Sequence, residues 1–240
     1  MGEQLLYRDL ARYYDFIYHW KDYKKESAEL LTLIQRYKKS GGKSLLEVGC
    51  GTGHHLSYLK KYFDCVGMDV NKDILSVARK KNKGVTFKQA DMITMDFGKR
   101  FDVITSLFSG IGYVKTYHNL RKTIKNMAEH LVEGGVLLIE PWLTKEIFTG
   151  SKLHMHTYED DDLKICRISK SKRKGNLSIL EMHYLIAEKG RKIRYFIDRH
   201  ELGLFDTQKI LEYMRDTGLK ARFLKKGFMK DRGLFIGMKP

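Results

Sequence analysis

A doubly wound α/β fold, with a mostly parallel seven-stranded sheet and an antiparallel β cap inserted after the fifth strand, follows from three observations on this 240-residue chain. Short apolar runs alternate with amphipathic stretches between Ser44 and Glu140, with short connections. That is the rhythm of βα units winding right-handed into a parallel sheet. The first apolar run passes through Glu47-Val48-Gly49-Cys50-Gly51-Thr52-Gly53 into a helix-like segment, the order strand, tight loop, helix. From residue 152 to 202 the helical spacing disappears, and turn signals separate extended segments.

Taken in order, Lys21 to about Lys39 is an amphipathic helix with Leu30, Leu31, Ile34 and Tyr37 on one face, ended by Gly41-Gly42. Ser44–Val48 is the first strand and His54–Tyr62 the helix after the glycine loop. The second strand, Asp64–Val70, precedes a helix over Asp73–Lys81; the third is Val85–Gln89 and the fourth Phe101–Leu107. A loop with Ser109-Gly110-Ile111-Gly112 leads to a helix over His118–Leu131 and the fifth strand, Gly135–Glu140. The inserted stretch gives strands Lys164–Ser169, Leu177–Ile186 and Arg191–Leu202, with turns at Asp160-Asp161-Asp162, Lys174-Gly175-Asn176 and Lys189-Gly190. A helix over Thr207–Thr217 and strands Lys220–Lys225 and Gly233–Met238 complete the sheet. The expected division is a core of residues 1–142 and 203–240 and a cap of residues 143–202. The cap should sit over the carboxyl ends of the parallel strands, where such sheets bind ligands.

A hydrophobic content of 42% suits a globular chain that buries a full core. No apolar run reaches the roughly 18–20 residues of a membrane span, and the first residues lack the basic-then-apolar pattern of a secretory signal. Cys50, Cys65 and Cys166 are scattered, without the spacing of a disulfide framework or a zinc site, so a cytoplasmic setting is expected. The net charge of +16 is spread along the chain and is somewhat denser in its second half. It fits a nucleic-acid binder, a phosphorylated substrate or a lysine-rich surface, and runs such as Lys170–Lys174 read as solvated turns. His54 and His55 are adjacent at a helix start and do not converge on one ion. They read as helix-surface residues, and no metal site is expected.

The glycine spacing is G-x-G-x-G (Gly49, Gly51, Gly53), not the G-x-G-x-x-G of dinucleotide folds. Glu47 beside it repels a pyrophosphate but suits a ligand with a positive amino group. Asp69, 20 residues beyond Gly49 at the end of the second strand, is placed to accept from ribose hydroxyls. Asp91-Met92, after the third strand, offers an acceptor for an adenine amino group and a soft side chain for its ring. Together these favour S-adenosylmethionine over NAD.

These residues resemble those of class I S-adenosylmethionine-dependent methyltransferases, with their Rossmann-like core. More narrowly, the chain resembles the N,N-dimethyltransferases of TDP-linked amino sugars, the desosamine and mycaminose type. The segments that carry the narrower likeness are Tyr14-Asp15, Lys21-Asp22-Tyr23, Gln89-Ala90-Asp91-Met92, Leu107 to Tyr113, Glu140-Pro141-Trp142, Glu181 to Tyr184, His200 with Leu204-Phe205, and Arg232 to Phe235. It departs from that group at Asp69, where glutamate is usual, at Leu143 and Lys170, and in a shorter link between Tyr18 and Lys21.

The resemblance implies a methyl transfer to the amino group of a small molecule, a nucleotide-linked amino sugar, by in-line displacement. Such a reaction asks the protein to align donor and acceptor, which alone contributes about 7–11 kcal/mol, and to keep the amine neutral. By resemblance Tyr14 and Tyr113 are the catalytic candidates, beside the reacting amine. The cofactor set is Tyr14, Lys21, Glu47, Gly49, Gly51, Gly53, Asp69, Asp91, Met92 and Leu107. Arg232 and Arg167 are candidates for a substrate diphosphate, and Trp142, His183, Tyr184 and His200 for the sugar and base. Strand alternation sends His183 and Tyr184 to opposite faces. A homodimer is open.

Other acceptors remain: a different small amine, or RNA, which the positive charge invites. Against RNA, the loop after the fourth strand reads Ser106-Leu107-Phe108-Ser109 rather than (N/D)-P-P-(Y/F), and no separate RNA-binding module is visible. A non-catalytic cofactor-binding regulator is disfavoured because Tyr14, Tyr113, Asp69 and Asp91 are all present.

Overall fold

The computed structural model describes residues 4–150 and 153–240. Strands β1 (Ser44–Val48), β2 (Asp64–Asp69), β3 (Thr86–Gln89), β4 (Phe101–Ser106) and β5 (Leu131–Ile139) lie parallel in the spatial order 5-4-1-2-3. Two late strands extend the β5 edge. β11 (Leu234–Met238) pairs antiparallel with β5, and β10 (Lys220–Leu224) pairs antiparallel with β11. The expected seven-stranded, doubly wound sheet is therefore present. Helices α2 (Tyr23–Tyr37), α3 (His54–Leu59), α4 (Lys72–Lys81), α5 (Tyr117–Glu129) and α6 (Thr207–Asp216) cover its two faces and bury separate apolar clusters on each.

Caps set the helix boundaries. The Asp22 carboxylate accepts from Lys25 N–H at 2.9 Å, so α2 starts at Tyr23 rather than at Lys21. Thr116 does the same for α5 through Asn119 N–H. α5 stops at Glu129, short of Leu131, because Leu131 already pairs with Phe101 in β5. The register then shifts, with Gly134 at φ 73°, a left-handed conformation that glycine adopts without penalty.

The inserted stretch forms a four-stranded antiparallel sheet: β6 (Leu153–Glu159), β7 (Leu163–Lys174), β8 (Leu177–Glu188) and β9 (Arg194–Gly203). Its first strand adds to the three delimited from sequence. Lys170–Lys174 belong to β7 and are not a turn; alternation puts Lys170 and Lys172 outward and Ser169 and Ser171 inward. Asp160 does make the turn expected of it, accepting from the N–H groups of Asp162 and Leu163.

An N-terminal arm that the sequence pattern did not reveal packs under this sheet. It consists of two single 3-10 turns (Leu5–Tyr7 and Ala11–Tyr13) and α1 (Tyr14–Ile17). Leu6, Leu10, Tyr13, Tyr14 and Ile17 meet Leu163, Ile165, Met182, Tyr184 and Ile186 from the cap and Ile74 from α4. The arm is thus held between cap and core. Among the described residues no helix is long and apolar enough to cross a membrane.

Candidate active site

β1 is central in the sheet and delivers Glu47, 2% exposed, to its carboxyl end. The chain then turns sharply. Gly49 and Gly51 take φ 71° and 55°, which keeps the backbone of the loop open to an approaching ligand. Gly53, at φ 71°, starts α3 but lies away from the opening: a Cβ there would press on Asn82 and Phe87. A cavity of about 700 Å³ opens above the loop, within the range of small-molecule sites.

The cavity has two ends. At one are Glu47, Gly49, Gly51, Asp69, Asp91, Met92 and Leu107. Asp69 fixes the loop: its Oδ2 accepts from Gly51 N–H and its Oδ1 from Asn71 N–H, both at 3.1 Å. Burial raises its pKa against these bonds, and each oxygen retains a second lone pair for a ribose hydroxyl. Asp91 Oδ1 accepts from Ile93 N–H. At the other end are Tyr7, Tyr14, Tyr113, Lys115, Arg199 and Glu201, from the arm, the turn after β4, and β9. A Cβ on Gly51 would lie 4.0 Å from Tyr14 Oη, so this phenol stands directly over the glycine loop.

Glu47 carries the fit to S-adenosylmethionine. Its Oε1 contacts His55 Nδ1 at 3.2 Å, while its Oε2 is buried and without a partner. A buried orphan carboxylate oxygen on a cavity wall costs stability until a donor reaches it, and the ammonium of the cofactor's methionine portion is such a donor. The residues present fit that cofactor.

His55 is not on the helix surface as expected but 5% exposed, between Glu47 and Glu26, whose Oε2 lies 3.1 Å from Nε2. Burial works against its charge, but the bonds to Glu26 and then Glu47 raise its pKa to about 9. Lys21 closes the cluster on both Glu26 oxygens and lies 4.5 Å over the Phe108 ring. It does not line the cavity; its tie to the cofactor end runs through Glu26, His55 and Glu47. His54 stacks on Tyr23 at 4.1 Å and pairs with Asp15, which also holds Thr52 and Lys81. Against its burial, His54 and Lys81 hold the Asp15 carboxyl at about 2.

Behind Phe108 lies a second group. Arg232, 8% exposed, donates to Ser109 Oγ at 2.5 Å and lies 4.8 Å over Trp142 and 5.2 Å over Phe108. Phe108 and Ser109 have φ of 48° and 75°, strained for side-chain-bearing residues. Glu140 holds the turn by accepting from Phe108 N–H. Arg167 lies 5.1 Å over Tyr18; its Nε and Trp142 Nε1 are buried without partners. Tyr184 is fully buried in the cluster beneath the cap and does not line the cavity, whereas His183 faces outward against Tyr195 and Glu181.

Spacing did not flag Tyr7, Phe108, Lys115, Arg199, Glu201 or Asp198. Asp198 and His200 had a visible signal: two residues apart on one strand, they share its inward face, both about 1% exposed.

The methyltransferase domain family matches residues 45–135. The dTDP-3-amino-3,4,6-trideoxy-alpha-D-glucopyranose N,N-dimethyltransferase of Streptomyces venezuelae is 35% identical over 96% of this chain and 98% of its own length. The crystal structure of Streptomyces venezuelae DesVI superposes with a TM-score of 0.90 at 34% identity, over 96% of this chain and 98% of that one. SAM-bound CalS10 from Micromonospora echinaspora, an amino pentose methyltransferase, does so at 0.83 and 28% identity, over 92% of each chain.

Proposed function

Because the chain belongs to the methyltransferase family that includes the Streptomyces dTDP-amino-sugar N,N-dimethyltransferases, we propose that its acceptor is the amino group of a dTDP-linked amino sugar. The enzyme is an S-adenosylmethionine-dependent N-methyltransferase. The observation that carries the acceptor reading is one cavity with two unlike ends: glycine loop and carboxylates at one, phenols with Arg199 and the Lys115–Glu201 pair at the other. The cofactor, when bound, supplies an electrophilic methyl group on a sulfonium.

Glu47 and Asp69 hold the cofactor's ammonium and ribose, and Asp91 and Met92 its adenine. Tyr14 and Tyr113 orient the acceptor amine above the loop, Tyr14 by accepting a hydrogen bond at Oη. Burial holds both phenols well above their usual pKa, so they act as neutral hydroxyls. The arm under the cap excludes water, which strengthens these contacts. Arg232, with Trp142 and Arg167 behind Phe108, takes the diphosphate end. The cap of residues 143–202 is the substrate-side unit, and the protein works in the cytoplasm with its three thiols free.

Thymidine diphosphate should raise the melting temperature of the wild type. Arg232→Ala should abolish that shift while S-adenosylhomocysteine still stabilises the variant, which shows the cofactor site intact. Loss of the shift in Arg199→Ala instead would move the diphosphate to the cavity rim. No shift in the wild type, with cofactor stabilisation preserved, removes the nucleotide-linked substrate.

A further inference from the structure

A row of four side chains runs from the cavity wall into the buried interior of the cap. Tyr7 Oη lies 2.8 Å from Tyr113 Oη, Tyr113 Oη 2.6 Å from His200 Nδ1, and His200 Nε2 2.8 Å from Asp198 Oδ2. The two phenols line the cavity, while His200 and Asp198 are 1% exposed. Asp198 accepts in addition from the N–H groups of Leu5 and Leu6, at 3.1 and 2.8 Å. Three elements distant in sequence, the arm, the turn after β4 and β9, converge in this row.

The row has a direction. Nε2 faces a carboxylate, so an imidazole here places its one ring hydrogen on Nε2 and leaves Nδ1 as the acceptor for the Tyr113 hydroxyl. The Tyr113 oxygen then has two lone pairs; one accepts from Tyr7, and the other is available toward the cavity. A buried imidazole backed by a carboxylate and reaching a surface hydroxyl is the arrangement that lets a hydroxyl pass a proton inward.

We propose that Tyr113, His200 and Asp198 form a proton relay for the acceptor amine, with His200 and Asp198 acting through Tyr113 and Tyr7 holding Tyr113 in line. This rests on the N-methylation reading above. When the acceptor arrives as an ammonium, or has gained its first methyl, one N–H bond breaks and leaves the lone pair on nitrogen. That proton forms a new bond to Tyr113 Oη as the original Oη–H proton moves to His200 Nδ1. Asp198 stabilises the resulting imidazolium through Nε2–H. The proton returns to solvent by the same path after each methyl transfer, before the relay is used again. No oxidant, metal or further reactant is needed.

Around this row the arm brings Tyr7, Tyr14 and Tyr18; the turn after β4 brings Tyr113 and Lys115; β9 brings Asp198, Arg199 and Glu201; β8 brings Tyr184. Lys115 is paired with Glu201 at 3.2 Å, so Asp198 is the carboxylate left to face His200.

The test combines kinetics with a readout on the resting enzyme. His200→Gln keeps an acceptor for Tyr113 and a donor for Asp198 but cannot take up a proton. We expect its kcat to fall about a hundredfold, KM to stay near the wild-type value, and the acidic limb of kcat/KM to move up by about one pH unit or more. Tyr113→Phe should do the same, and the double variant should be no slower than Tyr113→Phe alone, because members of one relay are not additive. Nitrogen-15 NMR of the free wild-type enzyme should show His200 as the Nε2–H tautomer, perturbed by Tyr113→Phe. A His200→Gln enzyme with wild-type kcat and pH profile, additive losses in the double variant, or an imidazolium at neutral pH would each overturn the relay. If the wild type turns over no dTDP-amino sugar while the tautomer result holds, the acceptor assignment fails and the relay does not.

Discussion

Glu47 gives one oxygen to His55 and the other to the cavity; the sequence reads it as an acid suited to a positive amino group, but does not show its pairing with a buried His55. Its orphan Oε2 makes a sharp prediction, because an oxygen still lacking a donor distinguishes ligands that carry an ammonium from those that do not. Glu47→Gln should weaken S-adenosylhomocysteine tenfold or more, about 1.4 kcal/mol. It should leave 5′-methylthioadenosine, which lacks the amino-acid portion, almost unchanged. Asp69→Ala should weaken both, since both carry the ribose. Titration calorimetry of the two ligands on the two variants decides it; equal losses for Glu47→Gln would place the ammonium elsewhere. Gly49, Gly51, Asp69, Asp91 and Met92 were readable because they follow one another at strand ends along a local stretch of chain, and the fold simply stacks those ends. Tyr7 was not readable, because nothing local marks a tyrosine in a three-residue turn. Nor was the inward burial of Tyr184 beneath the cap, where it packs against an arm more than 160 residues away in sequence.

At the scale of elements, the clamp joining α2, α3 and β1 is the part most exposed to pH. His55 bridges Glu26 on α2 and Glu47 on β1, and its folded-state pKa of about 9 lies above the ordinary histidine value. A base with a raised pKa in the folded state contributes stability that is complete below the unfolded value near 6.5 and is lost as pH rises through about 9. The melting temperature should therefore fall more steeply between about pH 6.5 and 9 in the wild type than in His55→Gln, which retains the packing but not the charge. Parallel curves would mean that His55 is neutral in the fold. The helices of this clamp were legible, since their apolar spacing is regular over whole turns, and so were the five parallel strands. Two elements were missed for a common reason. The arm has turns too short to show a period, and β6 reads Leu-His-Met-His-Thr-Tyr-Glu with every residue exposed or half-exposed. A strand without a buried face carries no alternation in sequence.

At the scale of the whole molecule, β6 without a buried side is part of a larger surface. The outward face of the cap sheet lines up Met155, Ile168, His183 and Ile197 across its four strands, with Leu185 and Tyr195 in the next row. Met155, Ile168, Leu185, Tyr195 and Ile197 are each 49–67% exposed. Contiguous apolar side chains on this scale mark an association surface. The adjoining row carries both signs, Lys170 paired with Glu181 at 2.7 Å and Arg199 opposite. A rim that carries both signs beside an apolar centre can pair with itself across a two-fold axis, which favours a second copy of this chain over a partner of one charge. Sedimentation equilibrium should give twice the 28.1 kDa chain mass for the wild type. Ile168→Lys with Ile197→Lys should return it to the single-chain mass, because the repulsion is doubled across the axis. Cofactor binding should survive that change, since Glu47 and Asp69 lie on the parallel core. A wild type that sediments as one chain would leave the apolar face to another occupant, and loss of cofactor binding on dissociation would mean that the arm beneath the sheet depends on the pairing above it.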